Sequence, residues 1–140
     1  RRGEDKISIA GIDDPFSCEH RRVGGFLKSS IEKLGEYGGF EILLFHRANL
    51  IDEFSGCGFD LILSGHMHGG HIRLPFLGGV ASPTSSLSGG ESLLFPKYFG
   101  GRYEMGNTVM IVSRGLGNPT PVPRIFNRPE LVMVTLRKKK

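Results

Sequence analysis

The sequence is poor in cysteine and in long apolar runs. Cys18 and Cys57 are its two cysteines, too few for a disulfide framework and without the spacing of a zinc ribbon, so both are expected to be plain thiols. No apolar run approaches the roughly 18 residues that a membrane-spanning helix needs. The first three residues, Arg-Arg-Gly, do not resemble a signal peptide. Neither a disulfide-stapled fold nor a spanning helix is therefore expected of these 140 residues.

Acidic residues are the minority, although the excess of positive charge is small. The chain has 18 Lys and Arg against 14 Asp and Glu, which gives a net charge of +4, and its pI is near 9.3. The basic residues are dispersed, apart from Arg21-Arg22 and the last four residues. We interpret the terminal run as a solvated tail rather than as a binding patch. No nucleic-acid partner is expected.

Glycine is the one residue type that is abundant. The hydrophobic share of 39% and the charged share of 23% are ordinary for a globular protein. Glycine accounts for 21 of the 140 residues, about twice the usual share of ~7%. This composition predicts one domain, residues 1–140, with tight turns and loop-built sites rather than long helices.

Residues 61–71 are the stretch around which the chain is organised. An apolar run, Leu-Ile-Leu-Ser, leads into Gly65 and then into His66, His68 and His71. If the backbone stays extended, His66 and His68 point to the same side, with Cα atoms about 6 to 7 Å apart. That separation suits two rings that converge on a pair of metal ions, which typically lie about 3.5 to 4 Å apart, better than one shared ion.

The remaining patterns predict alternating strands and short helices. Residues 7–12 are typical of a strand, which stops at Asp13-Asp14-Pro15. We interpret those three residues as a turn or a loop on the substrate side rather than as metal ligands. Residues 40–45 are typical of a strand covered on both faces, and His46 follows it. Further strands are predicted at 59–64, 71–75, 109–112 and 131–136. The pattern also predicts a helix that is capped by Ser17 and has its apolar positions at 23, 26, 27, 31 and 34. A short helix is predicted at 49–54 and a long loop at 78–101.

Two of these segments resemble motifs of the calcineurin-like metallophosphoesterases. Residues 65–70, Gly-His-Met-His-Gly-Gly, are similar to the last metal motif of that family, Gly-His-x-His followed by glycines. Residues 42–46, Ile-Leu-Leu-Phe-His, resemble the strand that ends in the family's isolated metal histidine. Residues 95–98, 103–108 and 112–117 are similar to the branch related to bacterial membrane-associated or exported phosphodiesterases. The resemblance covers nearly the whole chain.

The resemblance implies an α/β fold and a set of site residues. The chain would be the C-terminal half of the family's αββα sandwich, a mixed sheet with helices on its outer face. His46 and His66 would bind one metal and His68 the other, and neutral imidazoles suit Mn, Zn, Fe or Ni. Gly69, Gly70 and His71 would lie on the substrate side as substrate-binding residues. His71 stands where the family commonly has Gln, so a contact with phosphate, a contact with residues around the metals and a spectator role all remain open.

The sequence also departs from the family pattern. The family usually has Ser before the isolated histidine and Asn-Pro or Glu-Pro after it, whereas this chain has Phe45 before it and Arg47-Ala48 after it. The family's Asp-x-His, Gly-Asp-x-x-Asp and Gly-Asn-His motifs do not occur before His46. The bridging carboxylate, the Asn ligand and the catalytic acid are therefore expected upstream. The whole protein would hydrolyse phosphomonoesters or phosphodiesters, and this part would be inactive alone.

An alternative interpretation is a non-catalytic zinc-binding or interaction module that retains the phosphoesterase fold, since three histidines and a water can hold one zinc. Under the enzyme interpretation, the expected partners are a phosphoester substrate and the missing N-terminal half. Without that half, the isolated chain would form a dimer through its bare sheet face or be a monomer in which the loop at 78–101 covers that face. The resembled branch implies membrane or cell-envelope association of the whole protein.

Overall fold

A five-stranded mixed sheet forms the centre of the molecule. The computed structural model describes residues 5–16, 23–35, 37–54, 56–81, 94–118 and 123–138. The elements are β1 Ile7–Ile12, α1 Val23–Leu34, β2 Phe40–Arg47, a 3₁₀ helix Ala48–Phe54, β3 Leu61–Gly65, a 3₁₀ helix His68–Gly70, β4 Arg73–Leu74, β5 Gly78–Gly79, β6 Gly101–Met105 and β7 Thr108–Val112. The sheet has the strand order β1-β2-β3-β7-β6; β1, β2, β3 and β7 are parallel, and β6 is antiparallel to β7. The predicted α/β class with a mixed sheet is confirmed, and the two-sheet sandwich stays a prediction.

The hydrophobic core lies between one face of this sheet and two helices. Leu43 and Phe45 of β2 are buried, and the Phe45 ring packs against Phe54 of the 3₁₀ helix with centroids 4.7 Å apart. Leu27 of α1 is fully buried in the same core. The other apolar positions predicted for this helix also pack against the core: Val23, Phe26, Ile31 and Leu34. The 3.6-residue periodicity therefore identified the buried side of α1 correctly.

The opposite face of the sheet is apolar but largely exposed at its β1–β2 side. Ile7, Ile9, Phe40 and Leu44 are 50%, 67%, 37% and 45% exposed. They share one face because alternate residues of a strand point the same way, and β1 and β2 pair in register from Ile7 opposite Phe40. The described residues thus leave these four side chains incompletely covered.

The strand predicted at residues 131–136 is wrong for this structure, which assigns no strand there. The segment lies near the exposed face, where it lines a groove of about 460 Å³ with Phe40, Leu61, Val109 and Ile111. Its side chains still alternate, since Leu131 and Met133 are more exposed than Val132 and Val134. A strand needs a neighbour for its backbone hydrogen bonds, and the described residues supply none here.

Other sequence predictions are corrected in detail. Strand β6 was missed, although Gly106-Asn107, with Gly106 at φ 62°, joins it to β7 as a two-residue hairpin turn. The strand predicted at 71–75 is confined to β4, and the short helix at 49–54 is a 3₁₀ helix that begins one residue earlier, at Ala48. The predicted cap Ser17, Cys18 and residues 82–93 lie outside the described residues, and no described helix is long and apolar enough to cross a membrane.

Candidate functional site

The candidate site lies at the carboxyl ends of the parallel strands. Asp14 follows β1, His46 and Arg47 end β2, and His66 follows β3. These three strands are neighbours and run in the same direction, so their ends meet at one edge of the sheet. This edge is where ligand sites of open parallel sheets usually form.

His46 and His66 are brought together at this edge. His66 Nδ1 lies 3.3 Å from His46 Nε2, and the two rings meet edge to face with centroids 5.0 Å apart. The pairing of β2 with β3 produces this contact, because Arg47 is in register with Gly65. Two histidines that are 20 residues apart in the sequence therefore form one pair, as expected of ligands to a shared ion; metal binding by them stays a prediction.

Arg47 is a member of the site that the sequence did not predict. Its Nε donates a hydrogen bond to Asp14 Oδ1 at 2.6 Å, and its Nη1 donates to His66 Nε2 at 2.9 Å. The guanidinium also lies over the Phe16 ring, 4.2 Å from the centroid. The Arg47 side chain is 10% exposed and that of Asp14 is 21% exposed. The sequence signal was the departure from the family pattern after His46.

Burial and these contacts determine the charge states of His66 and Asp14. Because Nε2 of His66 accepts from Arg47, its Nδ1 carries the ring proton and donates to His46. Burial and then the positive charge of Arg47 lower the pKa of His66 to about 4. Burial alone would raise the pKa of Asp14, but the hydrogen bonds from Arg47 and from the Phe16 backbone N–H, together with the positive charge of Arg47, outweigh burial and hold that pKa below its usual value. At neutral pH the site therefore contains a neutral His66 and an ionised Asp14.

The His68 ring contacts Arg124 and His71. The expected side-by-side arrangement with His66 required an extended backbone, but β3 ends at Gly65 and the chain turns, with Met67 N donating to Gly65 O at 2.8 Å. His68 Nδ1 instead lies 3.4 Å from Arg124 Nη2. Burial, followed by His71 and Arg124, lowers the pKa of His68. The premise for its geometry was wrong, whereas its assignment as a ligand stays a prediction.

The backbone after β3 is strained at each of its histidines. His66, His68 and His71 have φ angles of 70°, 47° and 44°, in the left-handed region that side-chain-bearing residues rarely adopt. Such residues cost of order 1 to 3 kcal/mol each and occur mainly at functional sites. The local conformation is therefore held by its surroundings rather than by its own preference.

The residues predicted to lie on the substrate side are tightly packed. A Cβ atom on Gly69 would collide with Asn127 Oδ1, and one on Gly70 would lie 2.6 Å from Gly79 Cα. His71 is 1% exposed, and among the described residues neither ring nitrogen has a hydrogen-bond partner. Burial and the charge of Arg124 lower its pKa. Close packing thus explains why glycine occupies positions 69 and 70. A substrate contact by Gly69, Gly70 or His71 stays a prediction.

Asn127 ties the histidine turn to the rest of the molecule. Its Nδ2 donates to the carbonyl oxygens of His68 at 2.6 Å and of His71 at 3.2 Å, and the residue is 2% exposed. Arg124 similarly donates from Nη2 to the carbonyl oxygens of Arg114 and Gly117. Sequence reasoning missed both residues because their partners are distant along the chain and no local pattern marks them.

The donor chemistry suits a transition metal, but the described residues do not complete a site. Neutral imidazole is the form of histidine that binds metal ions, and the lowered pKa of His66 favours that form. Within the described part of the chain, no group of three or more His, Cys, Asp or Glu side chains lies close enough to hold an ion. The described residues therefore fit part of a metal centre, the His46–His66 pair.

Comparison with known proteins supports the family indicated by the motifs. The chain is 33% identical over 132 residues to the uncharacterized metallophosphoesterase YkuE of Bacillus subtilis, covering 94% of this chain and 41% of that protein. It is 30% identical over 125 residues to YkoQ of the same organism, named in the same way, covering 89% and 41%. It is 36% identical over 100 residues to the uncharacterized metallophosphoesterase Cj0846 of Campylobacter jejuni, covering 71% and 23%. The chain thus spans about two fifths of its first two relatives; no family model and no solved structure matches it.

Proposed function

We propose that this chain is the C-terminal part of a calcineurin-like metallophosphoesterase domain and supplies its metal-binding histidines. The observation that carries this proposal is the His46–His66 pair at the carboxyl edge of parallel strands. It occurs in a chain whose relatives are named metallophosphoesterases. The whole protein would be a metal-dependent hydrolase of phosphomonoesters or phosphodiesters.

Two divalent transition metals, Mn, Zn, Fe or Ni, would form a binuclear centre in the whole protein. His46 and His66 would hold one ion and His68 the other. Bound metals polarise the phosphoryl oxygens and generate a hydroxide nucleophile from water. His66 and His68 would contribute neutral rings, since burial lowers the pKa of both. Metal binding at pH 7 would then release few protons from these imidazole rings.

The remaining ligands and the catalytic acid would come from the missing N-terminal half. That half would pack on the exposed sheet face that includes Ile7, Ile9, Phe40 and Leu44. A face of this kind normally packs against a second sheet. The strained turn at residues 66–71 would lie where the two halves meet, with Gly69, Gly70 and His71 on the substrate side. The isolated 140-residue chain would be inactive because it lacks a bridging carboxylate.

A surface next to the histidine turn supports membrane association of the whole protein. Phe76 at the tip between β4 and β5 is fully exposed and Phe126 is 82% exposed. Together with Phe99 and residues 73–78 they line an apolar groove of about 530 Å³. The segments at 72–81 and 123–129 contain three arginines and no Asp or Glu. Exposed aromatic rings flanked by arginine suit the surface of an anionic lipid bilayer.

A non-catalytic zinc-binding or interaction module is the second candidate. Its zinc site would need His68, whose Nδ1 lies 3.4 Å from Arg124 Nη2, to join the His46–His66 pair on one ion. Activity measurements on the whole protein separate the two candidates. A metallophosphoesterase hydrolyses p-nitrophenyl phosphate or its bis ester, loses activity on chelation and regains it with Mn²⁺ or Zn²⁺. A module that binds one zinc per chain and hydrolyses neither ester under these conditions contradicts the enzyme proposal.

A further inference from the structure

The Arg47 guanidinium occupies the position in the candidate site where a cation is expected. It lies between a carboxylate and an imidazole, with its Nε 2.6 Å from Asp14 Oδ1 and its Nη1 2.9 Å from His66 Nε2. Both partners come from different strand ends, so the guanidinium bridges β1 to β3 across the end of β2. These are the two kinds of side chain, carboxylate and neutral imidazole, that bind transition metals.

This contact leaves His66 no ring nitrogen that is free to bind a metal. Nε2 accepts the hydrogen bond from Arg47, and Nδ1 carries a proton that it donates to His46 Nε2. A metal ion binds through the lone pair of an unprotonated ring nitrogen. The lone pair that Arg47 uses is therefore the one that an ion would need, and the linked His46 Nε2 is also engaged.

We infer that Arg47 competes with a metal ion for His66 and thereby sets the metal affinity of this edge of the sheet. The inference rests on the proposed function. It assigns to Arg47 a positioning role: the side chain acts on the ion through His66 and Asp14 rather than by touching substrate. Metal binding would require the guanidinium to move away from His66 Nε2.

Electrostatics gives the competition its direction. Arginine stays protonated in proteins, so it cannot relieve the repulsion by losing its proton. Two positive charges that share one binding position near a protein surface repel each other, and Asp14 offsets part of this repulsion. The Asp14 carboxylate and the Phe16 ring hold the guanidinium in place. The Arg47 side chain is 10% exposed, and it must break these contacts in order to move away from His66.

Arg47 also departs from the usual pattern of the resembled family. The resembled family usually has Asn-Pro or Glu-Pro after its isolated histidine, residues that carry no positive charge. This chain has Arg47-Ala48 at those positions. We therefore expect Arg47 to make metal binding weaker than an uncharged residue at this position would. Substitution of Arg47 tests this expectation.

Zinc titration of the whole protein, after metal removal and in competition with a chromophoric chelator, tests the inference. The variant Arg47→Gln should bind Zn²⁺ at least about tenfold more tightly than the unaltered protein, because it removes the competing charge. Arg47→Lys, which keeps the charge, should bind nearly like the unaltered protein. The matched control is Arg102→Gln, which removes an exposed arginine paired with Glu104 on β6. Its affinity should not change.

The outcomes are distinguishable. If the unaltered protein binds Zn²⁺ and Arg47→Gln binds equally or more weakly, the inference is wrong while the proposed function stands. If neither protein binds Zn²⁺, both are wrong. If Arg47→Gln does not fold, as judged by circular dichroism, Phe16→Leu replaces it, because that change loosens the guanidinium without removing it. A rise in affinity of about threefold is then expected, and no rise contradicts the inference.

Discussion

His66 Nδ1 lies 3.3 Å from His46 Nε2, and this contact joins the ends of two neighbouring parallel strands. The strands that deliver the two rings bury their core-facing side chains, with Leu43 and Ile62 fully inaccessible. A pair placed by rigid strands has a more defined geometry than one placed by loops. The packing of the core therefore holds these two histidines of the candidate metal centre in position.

The first prediction concerns the pH dependence of stability. The pKa of His66 in the folded protein is about 4, below the ordinary value near 6.5. Between these values the unfolded chain binds more protons, so the free energy of unfolding rises with pH. Stability is fully present above about pH 6.5 and is lost as the pH falls towards 4. Urea unfolding of the metal-free protein at pH 7 and pH 5 measures this loss, and His66→Gln should reduce it; an unchanged loss in that variant contradicts the assignment to His66.

The second prediction concerns the close packing of the histidine turn. Gly70 has φ 75°, and a Cβ there would lie 2.6 Å from Gly79 Cα. Gly70→Ala should therefore destabilise the protein by at least about 2 kcal/mol, from left-handed strain and steric overlap together. The control Gly117→Ala introduces a Cβ with no atom within 4 Å and should change stability by less than about 0.5 kcal/mol. Equal unfolding midpoints for the two variants would remove the packing argument.

The third prediction concerns the exposed sheet face. The isolated chain of 15.4 kDa should form a dimer through this face, because the described residues supply no second sheet that covers Ile9 and its neighbours. Light scattering should give about twice the monomer mass, and Ile9→Glu should restore the monomer. Leu116→Glu is the matched control, since Ile9 and Leu116 are both 67% exposed and Leu116 lies outside the sheet. A monomer that binds no hydrophobic dye contradicts the prediction.

The fourth prediction concerns the aromatic surface beside the turn. The whole protein should sediment with vesicles that contain anionic lipid, and the double variant Phe76→Ser/Phe126→Ser should sediment several-fold less. Tyr37→Ser is the control, because Tyr37 is an exposed aromatic residue just before β2, at the end of the strand opposite the site. Binding that is equal for all three proteins, or absent throughout, would show that this surface does not dock on lipid.

Sequence patterns predicted those elements whose residues carry their own signal. The strand at 7–12 has the predicted bounds, and the helix face from Val23 to Leu34 follows its apolar spacing. The segment at 131–136 has equally good alternation but forms no strand, because pairing depends on a neighbour and not on the segment alone. Strand β6 was missed although Gly106-Asn107 marks its hairpin.

The candidate site was predictable to a similar extent. The Gly-His-x-His motif and the strand before His46 identified the two histidines that the structure brings together. Arg47 was noted in the sequence only as a departure, and its contact with Asp14, 33 residues earlier, depends on the strand order. Asn127 and Arg124 reach the turn from 56 to 59 residues away. Such contacts are set by tertiary packing, which local patterns do not contain.

Under the proposed function, His46 and His66 bind a metal that the whole protein needs for phosphoester hydrolysis. The most direct test measures bound metal by elemental analysis and hydrolysis of bis-p-nitrophenyl phosphate in His46→Ala and His66→Ala. His20→Ala, which lies outside the motifs, is the control. We expect both site variants to lose metal, and their rates to fall at least about a hundredfold, while His20→Ala keeps both. Full metal content and full rate in either site variant would show that the substituted histidine does not bind a metal that hydrolysis needs.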